Sequence, residues 1–323
     1  MKPVVSQARQ RGMAIVSAML IAALVAVLAG TLTAQQSLFT RQMENQQQRV
    51  VGAGVLEAGL AWSRQLLAEQ RRLDPLVRHD QFWARPIADL AVGVRGARFQ
   101  GQLEDEQGKF NLRNLVYEDQ VDPLAQARLR RLFEVLELRP ALAEVVMERV
   151  IDGYPLREVQ AQSPASATSF DSGRLTSPGA AERVHPPRRP MLRSVRQLAE
   201  LPGMDAASLA RLEAFATVLP ANTWVNGNTA SPEVLAASVP GLSVQKARSL
   251  VAERDGGQWF VNRGDFVNRL RMPQVLLESV PVGITSDWFR LLGHTAPGGV
   301  RVEALLHLGE AALPSVVWSR VGV

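Results

Sequence analysis

The 323-residue chain predicts an α+β protein whose elements run helix, strand, helical block, strands. Three observations predict it. No proline occurs between Pro3 and Pro75, so one helix can run through that interval. A period of two appears at Phe99, Gly101 and Leu103, and short β-branched or aromatic runs return after Thr285. Between these lie stretches with apolar residues at helical spacing. At 46% hydrophobic the chain can bury a sizeable core, and it holds no cysteine, which excludes a disulfide framework, a thiolate metal site and a cysteine nucleophile. The net charge of +5 is spread among interspersed acids and steers only weakly toward anionic partners.

The first element opens with Lys2, Arg9 and Arg11, then Gly12, then 21 uncharged residues from Met13 to Thr33, enough for a helix to cross a hydrocarbon core. The basic leader places the N-terminus in the cytoplasm and the bulk of the chain across the membrane. A secretory signal would close on an A-x-A-like site, for which "LTAQQ" is a poor candidate. Good helix formers from Arg41 to Arg72 carry the helix outward, and Val51, Val55, Ala58, Trp62 and Leu66 give it a packing face. A simple anchor on a flexible stalk is the alternative. Gly30, Gly52, Gly54 and Gly59 are expected bending points.

Residues 75–114 are expected to hold the first strands, with "ARFQGQLEDEQGKFNLRNL" reading as strand, turn, strand. Glu104, Asp105 and Glu106 read as a solvated turn. Helices are expected over Pro123–Leu138 and Ala141–Ile151, a flexible loop over 160–190, further helices from Ser194, and strands at Thr285–Leu292, Gly299–Leu308 and Pro314–Val321.

Two stretches, "LAELPGMDAASLARL" and "LAASVPGLSVQKARSLV", share a helix-turn-helix pattern with Pro202-Gly203 and Pro240-Gly241 at the turns. They resemble helix-hairpin-helix units, which in nucleic-acid-binding proteins cradle a phosphate on backbone N–H groups. The bland reading is a packing unit whose glycines supply the turn. Asp205 stands where a phosphate would want a cation and favours packing; Lys246 and Arg248 keep the phosphate reading open for the second unit. His79, His185, His294 and His307 show no metal-ligand or triad spacing, and no phosphate-binding glycine loop occurs, so no enzyme is expected.

A basic leader ending in Gly12, with Met13 opening an apolar helix, resembles a type IV prepilin leader. The pattern departs from most pilins at the fifth mature residue, where Ser17 replaces glutamate. With "DEQGKFNLRNL", "NGNTASPEVLAASVPGL" and "ITSDWFRL" added, the chain resembles the minor pseudopilin K family of the type II secretion system nearly end to end. The resemblance implies a type IV pilin-like fold, a long N-terminal helix on a small antiparallel sheet, interrupted by an inserted all-α domain with helix-hairpin-helix-like units. On that frame residues 1–12 are the leader, 13–33 and 34–74 the transmembrane and periplasmic parts of the helix, 115–283 the insertion and 284–323 the last strands.

The resemblance also implies cleavage between Gly12 and Met13 by a prepilin peptidase, N-methylation of Met13, and a single-pass inner-membrane subunit. It implies a non-enzymatic role: starting the pseudopilus at its tip with minor pseudopilins I and J, the other pseudopilins and the inner-membrane secretion platform, without nucleic acid. Calcium is the one cofactor it implies, in a loop after an Ile-Asp segment; here that gives Asp152, Asp171 and Glu182, a sparse set for an ion that takes six to eight oxygens. The rival from another class is a membrane-tethered DNA-binding protein using the two hairpins.

Overall fold

In the computed structural model of the chain, residues 8–92, 98–158, 183–296 and 299–322 are described, with the side chains of 8–14, 40–51 and a few positions between 32 and 38 left aside. Helix α1 (Ala8–Leu73) is continuous for 66 residues, and at 1.5 Å per residue it is about 100 Å long. It does not break at any of its glycines. Gly52 and Gly59 instead serve contact with the sheet, where an added Cβ at Gly59 would lie 2.5 Å from the Phe99 ring.

A five-stranded antiparallel sheet follows the chain order: β1 (Ile87–Ala91), β2 (Arg98–Asp105), β3 (Trp288–Ala296), β4 (Arg301–His307) and β5 (Ser315–Gly322). Strand β3 sits between β2 and β4, with Leu291 opposite both Leu103 and Ala304. Alternation along β2 puts Phe99 and Leu103 on the face covered by α1 and leaves Gln100, Gln102 and Glu104 on the other. The helix contributes Val55, Leu56 and Leu67 to a core shared with Trp83, Phe289, Val302 and Leu306.

The expected strand region from residue 75 begins with a turn and a single 3-10 turn, Phe82–Ala84, and the last strands start three residues later than the β-branched pattern suggested. Ser286 is drawn into a polar contact described below.

Residues between β2 and β3 build two hydrophobic cores. The first is closed by α2 (Pro123–Val135), α3 (Pro140–Ile151), a 3-10 helix (Val195–Glu200) and α4 (Ala206–Phe215), around Leu129, Phe133, Val146, Leu198 and Leu212. The second gathers α5 (Pro232–Ser238), α6 (Val244–Asp255) and α7 (Arg263–Leu270) around Leu235, Phe260 and Phe266. Side-chain caps start most of these helices: Asp122, Asp205, Ser231, Ser243 and Asn262 each accept from a first-turn N–H.

Most of the expected 160–190 loop lies outside the described residues. Its end does not behave as a loop: Arg183–His185 pairs antiparallel with Leu156–Glu158. One apolar residue, Val184, gave no periodic signal there, and the pairing partner supplies the order.

Candidate functional site

Three features stand out: the uncovered part of α1, a buried polar clasp between insertion and sheet, and the two glycine turns. From Ile15 to Thr31 every α1 side chain is exposed, including Met19 at 70% and Leu20 at 68%. Among the described residues no apolar side chain buries this run. Among the described residues no helix is long and apolar enough to cross a membrane, and the expected 13–33 span starts and ends outside the described side chains. Gly12 and Met13 fall within the helical backbone, but their surroundings, like the first seven residues, lie outside the described residues. Ser17 sits on the exposed run, one turn before Ile21.

At the other end of α1 the helix is tied down. Arg64 Nε donates to the Pro314 carbonyl at 2.6 Å and Arg71 Nη1 to the Leu308 carbonyl at 2.7 Å. Arg71 also meets Asp287 at 3.0 Å.

The clasp centres on Asp105, at the end of β2. Its Oδ2 accepts from Asn226 Nδ2 (2.9 Å), Thr229 Oγ1 (2.6 Å) and Ser286 Oγ (2.6 Å), while Oδ1 accepts from the Gln107 N–H (2.8 Å). Asn226 also donates to the Val77 carbonyl at 3.0 Å. The acid is 7% exposed and Asn226 fully buried, so the expected solvated turn is wrong for it. Glu106 is likewise buried, at 4%, bonded by Lys109 at 2.7 Å and by the Thr217 hydroxyl. Three adjacent acids look like a surface turn only while their distant partners are unknown. The remote partners of Asp105 come from "NGNT" and "TSD", more than 120 residues away, and each of the three motifs singled out in sequence contributes to one site.

Burial pushes the Asp105 carboxyl above its ordinary value, with the bonds from Ser286, Thr229, Gln107 and Asn226 pulling the other way. Glu104, its neighbour on the opposite face, is also raised by burial alone, but bonds and charge from Arg290 and Lys109 outweigh that and hold it below the ordinary carboxylate value. Arg290 meets Glu104 at 2.9 Å, Glu106 at 3.2 Å and Glu303 at 3.5 Å. Glu104, Asp105, Lys109 and Arg290 line a cavity of about 570 Å³ where α4 faces the sheet. Each acid there is held by a cation or by several donors, an arrangement that fixes two units together.

Gly203 and Gly241 both adopt left-handed backbone, φ +82° and +74°, where a side chain would be strained. The first turn is covered: Arg139 donates to the Gly203 carbonyl and pairs with Asp205 at 3.5 Å. In the second, Met272 approaches Gly241 and Arg248 is drawn toward Glu233 at 3.7 Å. Pro202 and Pro240 precede these glycines and lie exposed.

Of the implied calcium ligands, Asp171 and Glu182 lie outside the described residues. Asp152 C-caps α3, and its carboxylate faces two cations, Arg188 at 3.8 Å and Arg189 at 3.6 Å, whose N–H groups also reach its carbonyl. An anion already paired with two guanidiniums does not fit a calcium ligand. Among the described residues no group of three or more acids, histidines or cysteines could hold a metal ion.

Two family models, both described as type II secretion system protein K, match residues 225–284 and 108–221, together more than half of the chain. Type II secretion system protein K of Pseudomonas aeruginosa is 25% identical over 301 residues, covering 90% of this chain and 86% of the relative. The fold is similar to a chain of the crystal structure of the GspK-GspI-GspJ complex from the enterotoxigenic Escherichia coli type 2 secretion system, with TM-score 0.60, 18% identity, and 87% and 98% of the two chains covered.

Proposed function

Because this chain belongs to the type II secretion system protein K family, the minor pseudopilins of that envelope machine, we propose that it forms the tip of the pseudopilus and starts its assembly with minor pseudopilins I and J. The observation that carries this reading is α1: one continuous helix whose C-terminal part packs on the sheet while its apolar run from Ile15 to Thr31 is exposed. A protein that acted alone would gain by burying that run, at about 25 cal/mol per Å². Here bilayer and neighbouring helices take that place. The solved relative was crystallised as a complex with I and J, which supports the same partners for this chain. The leader pattern supports cleavage after Gly12 by a prepilin peptidase, methylation of Met13 and a single inner-membrane pass with the sheet and insertion in the periplasm.

Ser17 supports the tip position. A carboxylate within the bilayer costs several kcal/mol and is retained only with a partner; a subunit with nothing above it has no neighbouring terminal amine to offer. The test is co-expression of the full chain with I and J, N-terminal sequencing, and filament measurement. Co-purification and a Met13 start are expected, Gly12→Val should leave the leader attached, and Ser17→Glu should not improve assembly. Longer filaments with Ser17→Glu would make the protein an ordinary internal subunit.

A further inference from the structure

Among the described residues the sheet has two unpaired edge strands, and they differ. Strand β1 has five residues, and its pairing with β2 is broken by an irregularity between Ile87 and Leu90. Asp89 lies there at φ 56° and is fixed by Arg98 and Gln100. An edge so short, kinked and charged resists pairing. Strand β5 has eight residues, none of them buried. Its one irregularity falls at Val317, and Trp318–Gly322 stay in unbroken register with Arg301–Leu305. Nothing in the described chain covers its outer backbone edge, and Arg320 is its only charge.

Alternation defines what would fit. On the α1 face, Val321 lies beside buried Val302 and continues the apolar surface outward, itself 62% exposed. On the opposite face, β5 borders a concavity of about 790 Å³ whose lining includes Arg196, Arg301, Arg320 and His294. Its one carboxylate, Glu303, is drawn to Arg290 on the inner side. Neither Arg301 nor Arg320 meets a carboxylate among the described residues; Arg320 lies over the Trp318 ring at 5.0 Å.

We infer that the free edge of β5 receives an extended segment of a partner protein, apolar on the α1 side and acidic on the side of Arg301 and Arg320. Main-chain hydrogen bonds to β5 supply the affinity, and the alternating side chains supply the choice of partner. The inference rests on the reading of this chain as an assembly subunit and names the surface that reading lacks.

The test uses the full chain in detergent with labelled eight-residue peptides alternating Glu and Val, or Lys and Val. The Glu–Val peptide should bind about tenfold more tightly at low salt, and its binding should slow hydrogen exchange at the β5 amides. Arg301→Glu with Arg320→Glu, both at exposed positions, should invert the preference. Equal affinities, binding without β5 protection, or an unchanged preference in the double variant would overturn the inference. So would a double variant that still retains every partner held by the wild type. A wild-type chain that co-purifies with no pseudopilin would sink the assembly reading instead, and the peptide measurements would still decide the edge.

Discussion

Asp105 and Glu104 are neighbours in sequence with opposite electrostatic fates, because one points into the α1 side of the sheet and the other onto the Arg290 side. Removing the Asp105 side chain strands Asn226, Thr229, Ser286 and the Gln107 N–H together, so Asp105→Ala should cost about 3–5 kcal/mol in urea unfolding. The pH dependence has a definite sign. A carboxyl whose folded value is raised binds its proton more tightly when folded, so its contribution is complete below the ordinary value of 3.8 and is lost as pH rises through the raised value. The Asp105→Asn variant should lack that component of the stability profile. Glu104, held low, behaves inversely: its contribution is present above its ordinary 4.5 and is lost as pH falls through the lowered value. None of this was legible in "LEDEQG", since burial of an acid depends on donors that arrive from remote segments.

At the scale of elements, the docking of α1 turns on Phe99, which is fully buried between Gly59 of the helix and Gly293 of β3. A Cβ at Gly293 would come closer to the ring than one at Gly59. Gly59→Ala should therefore destabilise by about 1–3 kcal/mol, through overpacking that outweighs the helix propensity gained. Gly54, on the same helix with nothing near its missing Cβ, is the internal control: Gly54→Ala should stabilise by about 0.5–1 kcal/mol. Thermal or urea unfolding of the two variants separates a packing glycine from an idle one. The helix itself was legible from the absence of proline and the spacing of Val55 and Leu66, and the strands from alternation. The role of its glycines was not, because a sequence shows where a side chain is missing and only the neighbouring strand shows what fills the gap. The first arm of the earlier hairpin, Val195–Glu200, is 3-10 rather than α-helical, a distinction that six residues of apolar spacing cannot make.

For the whole molecule, the order helix, strand, helical block, strands was readable from changes of period, but not that β2 and β3 are neighbours. Local pattern records which face of a strand is apolar and says nothing about its companion. That adjacency brings Asp105 opposite Phe289 although the whole insertion separates them in the chain. A chain truncated after Asp287 should keep the helical signal of the two insertion cores, while Trp83, buried in the full core, becomes exposed and shifts the tryptophan emission to the red, reporting an unformed sheet. The clasp then has a meaning in time. During synthesis β2 emerges well before β3 and must wait for its neighbour, with nearly two hundred residues to be closed into a loop and the slow search that non-local pairing entails. Once Asp105 has engaged Asn226 on the insertion and Ser286 beside β3, the folded insertion holds both strand ends together. The last pairing then proceeds as it would across the short turn of a hairpin.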